Sequence, residues 1–251
     1  MALSWVHDLK DSQLPNMPLS PAVAPLKSIA IGLFLLPMLA GCASMQLNQF
    51  KAHADRNDYQ WIADQQVTCR QASESCGRLH LRKGDACLRL AGAVGAAANH
   101  YACAADELAR GLALTPSWPD PAEKQRFQEN LCKALQNLQN LQSGEAAEKT
   151  LARFEEAAKA LYQLAPGSLP AVYYLASVRL RKVQPDLPDL NTARRVPVCS
   201  RLKRTLNEVL STMASARQSN LRQWNRYAQN YQRLAFDLGT AIRMAECYKM
   251  Q

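Results

Sequence analysis

Between Leu221 and Ala245 eight residues, Leu221, Trp224, Ala228, Tyr231, Ala235, Leu238, Ile242 and Ala245, follow one another at alternating steps of three and four. Only a helix keeps such a set on one face, since a strand returns to the same face every second residue. A helical seam of 25 residues needs a surface to cover it. It either docks a partner helix as a coiled coil or turns inward as the last helix of an array. Three alanines among the eight positions suit close packing inside one molecule, so the inward arrangement is favoured.

The same period recurs upstream. Alanine, leucine, glutamine and arginine are abundant, only 10 of 251 residues are glycine, and β-branched residues are sparse, a mixture that favours helix. An all-α fold is expected, built as an antiparallel array of helical hairpins with a long C-terminal helix. A first helix is expected over 57–69, and SESCG, ending at Gly77, reads as a turn. Segments 77–90 and 100–114 form a pair that stops at Thr115-Pro116. Asp120-Pro121-Ala122-Glu123 combines a side-chain acceptor, an N1 proline and a capping-box glutamate. The helix it opens carries Phe127, Leu131, Leu135, Leu138 and Gln142 on one face, and Gly144 ends it. Helices over 145–165 and 168–182 follow. Residues 183–198, with three prolines, read as a connector, and 199–251 as a basic C-terminal helical pair packing on the array.

Residues 87–116, CLRLAGAVGAAANHYACAADELARGLALTP, resemble a tetratricopeptide repeat. Leu88, Gly92, Ala104, Leu108 and Pro116 fall at its apolar, small, small, apolar and closing-proline positions. The resemblance implies a TPR-like helical domain over 57–182. Pro116 and Pro166 lie 50 residues apart, against a repeat of about 34, so an insertion or a lengthened helix breaks the period. An irregular helical bundle accounts for the same pattern.

The N-terminal region is of another kind. Residues 28–41 carry no charge, but fourteen residues are too few for a span of about 20. Lys27, the apolar run and the small-residue exit have the layout of an export signal. Asp8 and Asp11 fit such a signal poorly, so translation is expected to start at Met17. Leu39-Ala40-Gly41-Cys42 resembles the lipobox of bacterial lipoproteins. The resemblance implies a signal peptide over 1–41, recognition of Leu39, Ala40 and Gly41 by the signal peptidase, and acylation of Cys42. Ala43 after the cysteine implies onward sorting to the outer membrane, facing the periplasm. Residues 42–56 are then a lipidated N-terminus with a short tether.

Seven cysteines follow Cys42, which in an oxidising compartment read as a disulfide framework with at least one thiol unpaired or bonded between chains. Nearness in sequence favours Cys69 with Cys76 and Cys87 with Cys103, and Cys199 with Cys247 would clamp the terminal helices. Cys69, Cys76, His80 and Cys87 are residue types that zinc accepts, but their spacings match no usual zinc knuckle. No metal and no cofactor are expected. His80 near Cys76 could form a nucleophilic pair, which bonding of the cysteine would preclude. No phosphate loop, nucleophile elbow or metalloprotease motif occurs, and no enzyme is expected.

Of the charged residues, 42–178 hold 14 basic and 14 acidic, and 179–251 hold 14 basic and 5 acidic. The basic excess therefore lies in the last third. In an exported protein nucleic acid is not the expected counterpart. A protein complex of the cell envelope is, bound in a helical groove, with a secretion system or pilus first in order. The alternative is an anionic envelope polymer or lipopolysaccharide, held by Arg194, Arg195, Arg201, Lys203 and Arg204.

Overall fold

The computed structural model describes residues 41–69, 73–93, 98–115 and 117–249. Among them there is no strand, and nine α-helices follow in order. They are α1 (Gly41–Asp55), α2 (Tyr59–Asp64), α3 (Glu74–Ala93), α4 (Ala98–Leu114), α5 (Pro121–Asn140), α6 (Gly144–Leu164), α7 (Leu169–Val183), α8 (Thr192–Ser219) and α9 (Leu221–Met244). The fold is all-α, as the periodicity predicts. None of the helices among the described residues is long and apolar enough to cross a membrane.

Local chemistry places the ends. Asp120 accepts from the Ala122 N–H at 2.8 Å, with Pro121 in the first turn of α5. The Glu123 carboxylate does not close the expected capping box but pairs with Arg78 on α3 at 2.5 Å. Gly167, at φ +73°, turns the chain between α6 and α7, a conformation open to glycine without strain. Asn220 alone separates the two longest helices: its N–H reaches the Ala216 carbonyl, while its side chain accepts from Gln223 at 3.1 Å.

From α3 onward each helix packs on the next, and α7 also packs on α9. The α3/α4 hairpin is held by reciprocal leucine-on-glycine contacts. A Cβ at Gly84 would lie 2.6 Å from Leu108, and one at Gly111 would lie 2.7 Å from Leu81. Both leucines are fully buried. Gly77 has the same use against Thr115, which is why the stretch read as a turn lies inside α3. Gly92, the small position of the repeat resemblance, meets nothing within 4 Å.

Three apolar clusters make up the interior. The largest joins α3 to α7, the second joins α7 to α8 and α9, and the third gathers Phe50, Ile62, Leu79 and Ala86. Helix α7 is buried on nearly every side, with Leu169, Val172, Tyr174, Ala176, Val178 and Leu180 all inside, as a helix shared by two clusters must be.

Four expected boundaries are corrected. The tether over 42–56 is helix α1, docked on α3 with Phe50 fully buried and Ala43, Leu47 and Ala54 packed beside it. The helix expected over 57–69 is only α2, capped by Asp58. The connector expected over 183–198 is a 3₁₀ turn over Gln184–Asp189, with Val183, Leu187 and Leu190 buried, leading into α8. Asn191 then caps α8, and the helix continues across Pro197 although that residue lacks an N–H. Gly144 opens α6 instead of ending α5.

Helix α9 turns inward, as its alanines favour. Its buried row is Trp224, Tyr227, Tyr231, Leu234, Leu238, Ala241 and Ala245. The row is wider on the tyrosine side than the eight-residue seam: Ala228, Ala235 and Ile242 sit half-buried at its edge, and Leu221 is 64% exposed.

Candidate functional site

Three helices that are not sequence neighbours, α5, α7 and α9, each turn a polar stripe into one cleft of about 710 Å³. Helix α5 contributes Glu129, Lys133, Gln136, Asn137 and Asn140; α7 contributes Tyr173, Tyr174, Ser177, Leu180 and Arg181, with Gln184 from the 3₁₀ turn that follows it; α9 contributes Arg226, Tyr227, Asn230, Arg233, Leu234 and Asp237. On each helix the lining positions recur within every turn, as one face of a helix does. The intervening α6 and α8 are absent from the lining.

Contacts across the cleft set its register. At one end Glu129 on α5 meets Arg226 and Tyr227 on α9. Gln136 donates to the Tyr173 hydroxyl at 3.2 Å, and at the other end Arg181 on α7 donates to the side-chain oxygens of Gln139 and Asn140. The three helices therefore run parallel, and each stripe is about 16 Å long at 1.5 Å per residue. The floor is aromatic: the Tyr173 ring lies 5.0 Å from Tyr174 and 5.9 Å from both Tyr227 and Tyr231.

Four cations face two carboxylates here. Glu129 is buried and accepts from the Tyr227 hydroxyl at 2.6 Å and from Arg226 at 2.8 Å. Burial, with Tyr174 and Glu129 adding to it, holds the Tyr227 hydroxyl far above its ordinary pKa, so it remains a donor. Arg233 lies 3.5 Å from Asp237. Arg181 has only amide oxygens as partners, and burial lowers its pKa from the ordinary arginine value. Among the described residues Lys133 has no carboxylate within ion-pair distance. The uncompensated positive charge of the cleft is thus at Lys133 and Arg181, among amides that both donate and accept. Neither histidine nor cysteine lines it, so the surface offers binding groups and no nucleophile of those types.

The residues singled out in the sequence lie elsewhere. Leu39, Ala40 and the rest of the leader to residue 40, Met17 included, fall outside the described residues, as does Pro116. Gly41 and Cys42 are the first two residues of α1. The structure joins Cys69 to Cys76, Cys87 to Cys103 and Cys199 to Cys247. Cys132 is the odd thiol, and burial raises its pKa well above the ordinary value. Of the four residues weighed as zinc ligands, Cys69, Cys76 and His80 converge, while Cys87 is taken by Cys103.

The five basic residues on α8 do not act as one group. Arg195 turns back to Glu246 and the Leu190 carbonyl, and Lys203 donates to the Cys247 carbonyl at 3.1 Å. Arg194, Arg201 and Arg204 are exposed, with no carboxylate partner among the described residues. The cleft residues went unnoticed in the sequence because they are ordinary polar residues scattered over 109 positions. Their signal is a run of polar and aromatic residues recurring every turn beside each apolar stripe.

The chain matches no protein-family model, no curated protein and no solved structure.

Proposed function

We propose that this chain is a lipid-anchored periplasmic scaffold of the outer membrane, which binds a protein partner in assembling or stabilising an envelope complex. A secretion system or pilus is the first candidate for that complex. No catalytic residue is assigned. The observation that carries the reading is the cleft between α5, α7 and α9. It presents amides, hydroxyls and two uncompensated cations along about 16 Å, a length that an extended chain of about five residues covers. Clefts of this size hold ligands through a few placed polar groups on an apolar floor. The lipobox resemblance at Leu39 to Cys42 supports the anchor, and the position of Ala43 supports the outer membrane.

The test is crosslinking and affinity purification of the tagged protein from its own cells, with three variants beside it. Lys133→Glu with Arg233→Glu reverses charge in the cleft without touching Glu129. Cys42→Ala removes the acylation site. Arg194→Glu, Arg201→Glu and Arg204→Glu together reverse the exposed face of α8. An envelope complex that survives high salt, is lost with the cleft variant and is kept by the α8 variant supports the scaffold. The three free guanidinium groups on α8 favour the second reading, an anionic envelope polymer or glycolipid. That reading predicts the opposite pattern, with binding lost in salt because exposed charges are screened over about 8 Å.

A further inference from the structure

Outside the cleft, Cys69, Cys76 and His80 bring their ligand atoms within 4.8 Å of one another. Cys76 and His80 stand one turn apart on α3, so they share a face, and Cys69 comes from the extended segment after α2. His80 is buried, and its Nδ1 lies 2.5 Å from Glu107 on α4, whose other oxygen lies 3.2 Å from the Lys83 ammonium. With Nδ1–H donating to that carboxylate, Nε2 keeps the lone pair that a metal needs. The buried imidazole is oriented beside the disulfide by Glu107. A carboxylate behind the imidazole is the usual support of a metal-bound histidine.

We propose that, when the Cys69–Cys76 bond is reduced, Cys69, Cys76 and His80 hold one zinc ion. Zinc–sulfur bonds of about 2.3 Å and zinc–nitrogen bonds of about 2.0 Å place tetrahedral ligand atoms about 3.5–3.8 Å apart, inside the present spread. The Cα atoms of the two cysteines, 5.7 Å apart, need not move far. Cys76 and His80 are buried and Cys69 is half-buried, and the three side chains supply three of the four ligands of a tetrahedral zinc. The disulfide is the metal-free form. A dithiol reductant supplies two electrons and two protons, becoming a disulfide itself, and gives two thiols. Zinc then displaces both thiol protons, with no change in its own oxidation state.

The full chain is reduced with a phosphine, equilibrated with or without one equivalent of zinc, and alkylated, and each cysteine is read by mass spectrometry while helicity is followed by circular dichroism. Zinc is expected to slow alkylation of Cys69 and Cys76 and to leave Cys199 and Cys247 unchanged. His80→Ala abolishes the protection. Glu107→Gln, which keeps the shape of the side chain, weakens zinc binding about 10–100-fold. Equal labelling of Cys69 and Cys76 with and without zinc overturns the proposal, as does protection shared by all cysteines or retained by His80→Ala. A reduced chain that loses its helicity and does not regain it with zinc overturns it too.

Discussion

Gly111→Ala tests the leucine-on-glycine packing of the α3/α4 hairpin. An alanine in a helix interior is ordinarily favourable over glycine by about 1 kcal/mol. Here the added Cβ would stand 2.7 Å from the Leu81 side chain and 2.8 Å from the Leu81 backbone nitrogen. The side chain can rotate, but the nitrogen belongs to α3 and moves only if the two helices part. Parting them loosens Leu81 and Leu108, both fully buried. Overpacking of this kind costs about 1–3 kcal/mol, and the backbone contact puts Gly111 at the upper end. Subtracting the propensity gain leaves a net loss of about 1–2 kcal/mol. At about 2–4 °C per kcal/mol for a chain of this length, the midpoint falls by about 2–8 °C. Gly239→Ala is the matched control, because its nearest neighbour is the Arg243 guanidinium at 3.8 Å; it should gain up to about 1 kcal/mol. Thermal and urea unfolding with the disulfides intact, both followed by circular dichroism, read the two variants. If the two variants shift the midpoint in the same direction with unchanged m-values, α3 and α4 do not approach as described.

Phe50→Ala empties the anchor of α1 and should cost about 3–5 kcal/mol, seen as earlier proteolytic cleavage within 41–55 while the rest of the chain stays protected. Replacing Cys199 and Cys247 together by alanine opens a loop of separation 48, for which the chain-entropy relation gives about 4 kcal/mol; the same pair of changes at Cys87 and Cys103, separation 16, gives about 3 kcal/mol. The midpoint shifts should fall in that order, and the reverse order would show that loop length is not what counts. Burial raises the pKa of Tyr174, Tyr227 and Tyr231 above the ordinary tyrosine value. In each case the unfolded chain releases the proton first, so stability is full below about pH 10 and declines as pH rises further. Tyrosinate absorbance should therefore appear together with loss of helicity, and tyrosines ionising in a chain that stays helical would contradict their burial.

Helix class, order and several ends could be read from residues alone, because those features depend on local chemistry: the period of apolar side chains, the Asp120-Pro121 start, the Pro166-Gly167 stop. What could not be read depends on distant parts of the chain. Whether 42–56 is a leash or a helix is decided by a pocket that receives Phe50, which the segment itself does not encode. On α9 the row through Ala228 and Ala235 and the row through Tyr227 and Leu234 have the same spacing. Only the tyrosine floor supplied by α7 selects the second. Gly77 and Gly84 look alike in sequence to a turn residue and a helix weakener, and their use is visible only with α4 beside them. The cleft is the extreme case, since none of its three stripes is unusual alone. The charge count located the basic excess in the last third but could not say that Arg181, Arg226 and Arg233 face Lys133 across a cleft while Arg195 and Lys203 fold back.

Helix α1 begins at Gly41 and is fastened to α3 by Phe50. On the proposed acylation of Cys42, this leaves almost no slack between the lipid and the folded body. A tethered protein searches a hemisphere whose radius is its linker. A body mounted on a docked helix works instead at a fixed stand-off and in a restricted orientation, so its partner must come to the bilayer surface, and lateral diffusion in the membrane replaces reach.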